Sequence, residues 1–191
     1  MGFEYLNGQN WKDISRDERY FCAELFFEIQ KDTIAFVKWL NEQKICETSK
    51  FDLHSEWEIG FEVCFFRDYI FKIGEKNNNK SIKKSVFSQK RTFDLCLFSQ
   101  KSIIIIEAKA YTGFDSKQLE SFKEDKENIK SLLGDKCPAI FSIALVSASY
   151  RPKPVSMEGF DFKITWQEMY NLFKNRIFQR ANKSKIEVKD E

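Results

Sequence analysis

The stretch RTFDLCLFSQKSIIIIEAKA, residues 91–110, decides how this chain is read. Two apolar runs flank the polar quartet SQKS, the composition of two antiparallel strands joined by a tight turn. A two-residue loop pairs Ser99 with Ser102, and a four-residue loop pairs Phe98 with Ile103, so in both cases the partner numbers total 201. Asp94 and Glu107 also total 201. They are therefore expected directly opposite each other, on one face, with Cβ atoms about 5 Å apart. Lys109, two residues beyond Glu107, shares that face and lies opposite Thr92.

Two carboxylates at that separation repel by about 3 kcal/mol at an effective dielectric near 20. A divalent cation removes the repulsion, and carboxylate oxygens suit Mg²⁺ or Mn²⁺, which keep several waters and accept a phosphate oxygen as a further ligand. Lys109 beside such an ion is placed to orient or help deprotonate a water, or to neutralise charge on a phosphate. The competing reading is an ordinary buried strand reaching water, with Lys109 paired to Asp94 or Glu107.

Outward from the hairpin, the spacing predicts helices on both sides. SRDERYFCAELFFEIQ opens with Ser15 and Glu18 in capping-box spacing and then places Phe21, Cys22, Leu25, Phe26 and Ile29 at helical intervals. DTIAFVKWLNEQ reads as a second helix, capped by Asp32 or Thr33, with Ile34, Val37 and Leu40 on one side. WEIGFEVCFFRDYIFKIG is rich in β-branched and aromatic residues and reads as extended, although its acidic start could continue as helix. After the hairpin come a helix ending at Gly134 with Leu119, Phe122, Ile129 and Leu133 on one face, a buried strand AIFSIALVSASY, and a helix announced by Thr165 and Glu168.

The segment Lys72–Arg91 carries seven basic residues against Glu75, a local charge of +6 in a chain whose formal net charge is +2. Such a run is either a solvated loop or an arm that contacts nucleic-acid phosphates.

Composition sets the outer limits. A chain of 191 residues with 42% hydrophobic and 31% charged residues suits one domain with a packed core, here residues 1–191. The longest apolar run is far below the ~20 residues of a membrane helix. The N-terminus lacks a signal-peptide layout, and Leu6 stands where a myristoylation signal has Ser or Thr, so a cytoplasmic location is expected. Five cysteines without CxxC spacing read as reduced core thiols. His54, the only histidine, reads as a surface or boundary residue, which argues against the usual zinc sites and against a Ser-His-Asp triad unless His54 supplies its base.

These residues resemble the PD-(D/E)xK nucleases and their restriction-endonuclease-like fold. The resemblance is carried by Phe93-Asp94, the strand IIII, Glu107-Ala108-Lys109 and the following helix with Gln118, and the element order matches from about Ser15 to Tyr150. Phe93 departs from the pattern, which usually has proline before the aspartate. The resemblance implies an α/β fold, a mixed β-sheet flanked by helices in the order α-β-β-β-α-β. It implies a Mg²⁺- or Mn²⁺-dependent nuclease that hydrolyses phosphodiester bonds, with a DNA endonuclease of restriction, repair or defence as first choice. The alternative is a nucleic-acid-binding or assembly module that keeps the fold without cleaving.

By the same resemblance Asp94 and Glu107 are the metal ligands, with the Ala108 carbonyl as a further one, and Lys109 handles the water. Glu18 corresponds to the first-helix acid that completes the site in Holliday-junction-resolvase-like members, with Glu24 second and Glu62 weaker. Gln118 is similar to a glutamine that several branches place near the site. Glu18 and Gln118 are also the fourth residues of SRDE and DSKQ, where each would serve as a helix cap. Enzymes of this type that cut both strands often act as homodimers.

Overall fold

The computed structural model describes residues 4–43, 50–69, 71, 91–111, 113–114, 116–151, 157 and 159–183. The SQKS quartet turns the chain: the Ser99 N–H donates to the Ser102 carbonyl at 2.9 Å, and the Ser102 N–H donates to Ser99 Oγ at 3.0 Å. The strands it joins are β2 (Phe93–Phe98) and β3 (Ser102–Ala108). They pair antiparallel, Leu95 with Ile106 through Phe98 with Ile103, so the partner numbers total 201.

A five-stranded mixed sheet grows around this hairpin. Strand β1 (Glu58–Val63) pairs antiparallel with β2. On the other side β3 pairs parallel with β4 (Ala139–Val146), and β4 pairs parallel with β5 (Phe162–Thr165), giving the order β1-β2-β3-β4-β5. A parallel neighbour requires a crossover. Here it contains helix α5 (Ser116–Leu133), which stops before Gly134, whose φ of +70° suits glycine.

All seven residues of β3 are buried, which explains the isoleucine quartet. Ile104 and Ile106 join a cluster with Phe21, Leu25, Leu95 and Trp166 on one face. Ile103 and Ile105 join Phe65, Phe93, Cys96 and Ile129 on the other. A strand covered on both faces has no polar side and reads as a continuous apolar run.

The helices on the first face are α2 (Glu18–Lys31) and α3 (Thr33–Glu42), which follow the four-residue α1 (Trp11–Ile14). Asp32 caps α3, its carboxylate accepting the Ala35 N–H at 2.9 Å. The buried stripe of α3 is Phe36, Val37 and Leu40, whereas Ile34 is 40% exposed. Near the C-terminus, α6 (Trp166–Phe173) begins with the reciprocal Thr165–Glu168 capping box that the sequence announces. The short α7 (Ile177–Ala181) buries Phe178.

The region read as extended from Trp57 onward is divided. Pairing weakens at Glu62, whose backbone is left-handed (φ 52°), and residues 65–69 form a helical turn, α4. The Asp68 N–H donates to the Cys64 carbonyl at 2.9 Å, and the Asp68 carboxylate accepts the Cys64 N–H at 3.2 Å, so one residue satisfies the start of that turn. Cys22, Cys64 and Cys96 are buried, and Cys22 and Cys96 are free thiols. Among the described residues no helix is long and apolar enough to cross a membrane.

Candidate active site

Helix α2 is capped by Asp17, whose carboxylate accepts the Arg19 N–H at 2.9 Å; the capping box from Ser15 does not form. Glu18 is thereby the first helical residue, and its side chain points at the end of β3. Its Oε1 accepts from Lys109 Nζ at 2.9 Å and its Oε2 from the Ala110 N–H at 2.9 Å. The cap role considered for Glu18 is therefore replaced by a tertiary contact. It is Glu18, and not Glu24, that makes it. A carboxylate is also favoured at a helix N-terminus by the backbone dipole.

Asp94 and Glu107 each lie one residue beyond the Leu95–Ile106 pair, close enough for the charge of Asp94 to bear on Glu107. Asp94 Oδ2 accepts the Ala108 N–H at 2.8 Å. Glu107 is 5% exposed, and its Oε1 accepts from Arg91 Nη2 at 3.1 Å. Lys109 is fixed at three points. Its N–H donates to the Leu145 carbonyl at 2.8 Å, its carbonyl accepts from Trp166 Nε1 at 3.1 Å, and its ammonium pairs with Glu18. The strand-end reading had this lysine paired with Asp94 or Glu107.

The electrostatics follow from burial. Desolvation pushes the Asp94 carboxyl above its usual range, with Glu18 adding to the rise and the Ala108 N–H opposing it. Burial pushes Glu107 up much further, and the charge of Asp94 adds to it, while Arg91 and Lys109 work the other way. Burial alone would lower Lys109, yet the charge and hydrogen bond of Glu18 hold it above its ordinary value. The Cys22 thiol, buried on α2, is pushed well up by desolvation and then by Asp94, Glu18 and Glu107, so it stays protonated and unreactive.

The backbone is unusual at the same end of the sheet. Glu62 (φ 52°) follows Phe61, the partner of Leu95, so it lies alongside Asp94 across the β1–β2 ladder, and its carboxylate pairs with Arg19 at 3.1 Å. Tyr111, two residues past Lys109, also has positive φ (65°), and Arg16 lies 4.7 Å from its ring centroid. Left-handed backbone at a non-glycine residue costs of order 1–3 kcal/mol and clusters where geometry serves a function.

Outside the described residues lie the Gln118 and Leu119 side chains, Cys46, and the basic segment from Lys72 to Lys90. Arg91, its last member, is described and turns inward to Glu107 and Asp125 rather than toward a ligand in solvent. The sequence reading missed Asp125, which looks like one more acid on an exposed helix but is 7% exposed. Among the described residues no group of three or more His, Cys, Asp or Glu side chains could hold a metal ion. Asp94 and Glu107 are the two carboxylates that could share one. Cavities of about 660 and 560 Å³ lie elsewhere, one beside His54 and Trp57 at the hairpin turn, the other between Phe65 and Leu133. Compared with protein-family models, curated proteins and solved structures, the chain matches none of them.

Proposed function

We propose that this chain is a metal-dependent nuclease of the PD-(D/E)xK type, hydrolysing phosphodiester bonds, with DNA as the first choice of substrate and restriction, repair or defence as its setting. The observation that carries the reading is two acids at the open end of a tight hairpin, half-buried Asp94 and buried Glu107, one residue beyond the Leu95–Ile106 pair, with Lys109 just past the end of β3 and tethered to Glu18. The mixed five-stranded sheet with helices on both faces is consistent with a restriction-endonuclease-like core.

The donor set suits a hard divalent ion. Mg²⁺ at phosphate-processing sites is held by one or two carboxylates plus substrate oxygens and water, so it needs no all-protein cage of three acids. Asp94 and Glu107 would hold it, with the Ala108 carbonyl as a further ligand. When bound, the ion supplies Lewis-acid charge and a water of lowered pKa.

The remaining roles belong to the chain. Glu18 raises the pKa of Lys109, so the ammonium keeps its proton at neutral pH. As an ammonium, Lys109 would act by charge, stabilising the non-bridging oxygens of the phosphate as they become more negative. Its backbone, pinned to Leu145 and Trp166, keeps that charge in place without reorganisation.

The test is incubation of wild type and Lys109→Ala with plasmid, single-stranded DNA and RNA, each with Mg²⁺, Mn²⁺ or EDTA. Cleavage that needs the metal and is lost in the variant is the expected result. Cleavage indifferent to both EDTA and the substitution indicates a contaminant. Nucleic-acid binding without cleavage under every condition leaves a non-cleaving module on the same fold.

A further inference from the structure

Arg91 stands three residues before Asp94, at the end of the basic run, where the sequence suggests a phosphate contact. The structure gives it other partners. Its Nη2 donates to Glu107 Oε1 at 3.1 Å and its Nε to Asp125 Oδ2 at 2.9 Å. Its guanidinium carbon lies 4.8 Å from the Phe93 ring centroid and 4.7 Å from that of Phe122. The planar group is held by residues of β2, β3 and α5 together. Its side chain is 23% exposed, and that of Asp125 is 10% exposed.

This arrangement is costly unless each member needs the others. A buried carboxylate on α5 without Arg91 would be an uncompensated charge, and Arg91 without Asp125 could swing away from Glu107. The guanidinium suits the task because its fixed fork serves two acceptors at once while its face rests against aromatic rings; an ammonium is a point charge without that geometry. The contact with Glu107 engages one of its two carboxylate oxygens.

We propose that Arg91 and Asp125 are positioning residues that lock Glu107 in the rotamer from which it takes the metal ion, and that Arg91 is not a nucleic-acid contact. The inference rests on the nuclease reading above. Partners that orient a ligating side chain typically contribute ten- to a hundred-fold in metal affinity.

Mn²⁺ binding to the full chain, followed by isothermal titration calorimetry without nucleic acid, tests it on wild type, Arg91→Lys and Asp125→Asn. Both substitutions should weaken Mn²⁺ binding about ten- to a hundred-fold. Cleavage should recover toward the wild-type rate at saturating Mn²⁺, and duplex affinity in EDTA should keep its salt dependence. Thermal melts establish that the variants fold, and Asp125→Asn, which preserves shape, carries the test if Arg91→Lys does not fold. Unchanged Mn²⁺ affinity in folded variants overturns the clamp. So does a loss of roughly one unit from the salt slope in Arg91→Gln, a substitution that removes the charge, since that loss would mark a phosphate contact. A wild-type chain that binds no Mn²⁺ overturns the nuclease reading itself, and the clamp with it.

Discussion

The two ends of the β2–β3 hairpin carry similar charges and treat them in opposite ways. At the turn, Lys101 Nζ pairs with Asp52 Oδ2 at 2.7 Å, and Asp52 also accepts the His54 N–H at 2.9 Å and the Ser55 hydroxyl at 3.1 Å. The Lys101 hydrogen bond, followed by that from His54, lowers the Asp52 carboxyl to about 2. At the open end, burial raises both Asp94 and Glu107. Carboxylates at the turn are content as anions in contact with water. Those at the open end sit where burial favours the neutral form over the anion. Groups whose ionisation is disfavoured in this way are what the proposed site would offer a cation, and they set it apart from a surface ion pair.

The sharpest way to break this comparison is to remove charges at the open end. Asp94→Ala, Glu107→Gln and Lys109→Ala should each reduce Mg²⁺-dependent plasmid cleavage by about 10²–10³-fold, the scale of losing one positioned electrostatic group. Retention of wild-type rates in all three would show that the two ends do not differ in function. Glu18→Gln keeps a hydrogen-bonding side chain but frees the Lys109 ammonium from its fixed charge partner. A loss of about tenfold is expected, roughly the 1.4 kcal/mol of a charge-assisted contact, measured as the initial rate at saturating metal.

Stability should move the other way. An acid with a raised folded-state pKa binds its proton more readily folded than unfolded, so stability falls as pH rises from the unfolded value, near 4, through the folded one. Asp94→Asn should therefore raise the melting temperature at pH 8 in EDTA, by about 2–4 °C for each kcal/mol recovered, and the gain should shrink toward pH 4. A lower melting temperature at pH 8 would mean the Ala108 hydrogen bond outweighs desolvation.

The smallest effect belongs to the turn. Lys101→Ala should leave cleavage unchanged and scarcely alter melting at neutral pH, as for most exposed ion pairs. The depressed Asp52 carboxyl contributes stability that is present above the unfolded pKa and is lost as pH falls from about 4 toward 2. Melts of wild type and Lys101→Ala should thus differ at most slightly at neutral pH and coincide below that window.

Much of this was legible before any coordinates. SQKS between two apolar runs set the 201 register, since a tight turn leaves the flanking strands little choice of partner. Thr165 and Glu168 announced α6 because a capping box satisfies its own backbone donors locally. Four-residue β5 escaped notice, being too short to show a period, and α4 was hidden within an aromatic run that suits strand and helix equally.

The arrival of Asp94 and Glu107 together at the open end of the hairpin is thus a consequence of chain order, because a period of two and a short loop are local properties. Where Glu18 and Arg91 point is not. Glu18 meets Lys109 across 91 positions and Arg91 meets Asp125 across 34, so each choice between cap and tether, or phosphate contact and clamp, depended on how the helices came down on the sheet. Burial decided the rest. The same carboxylate is an ordinary surface anion or a group whose charge is disfavoured according to how much water packing removes, and no spacing of residues along a chain encodes that quantity.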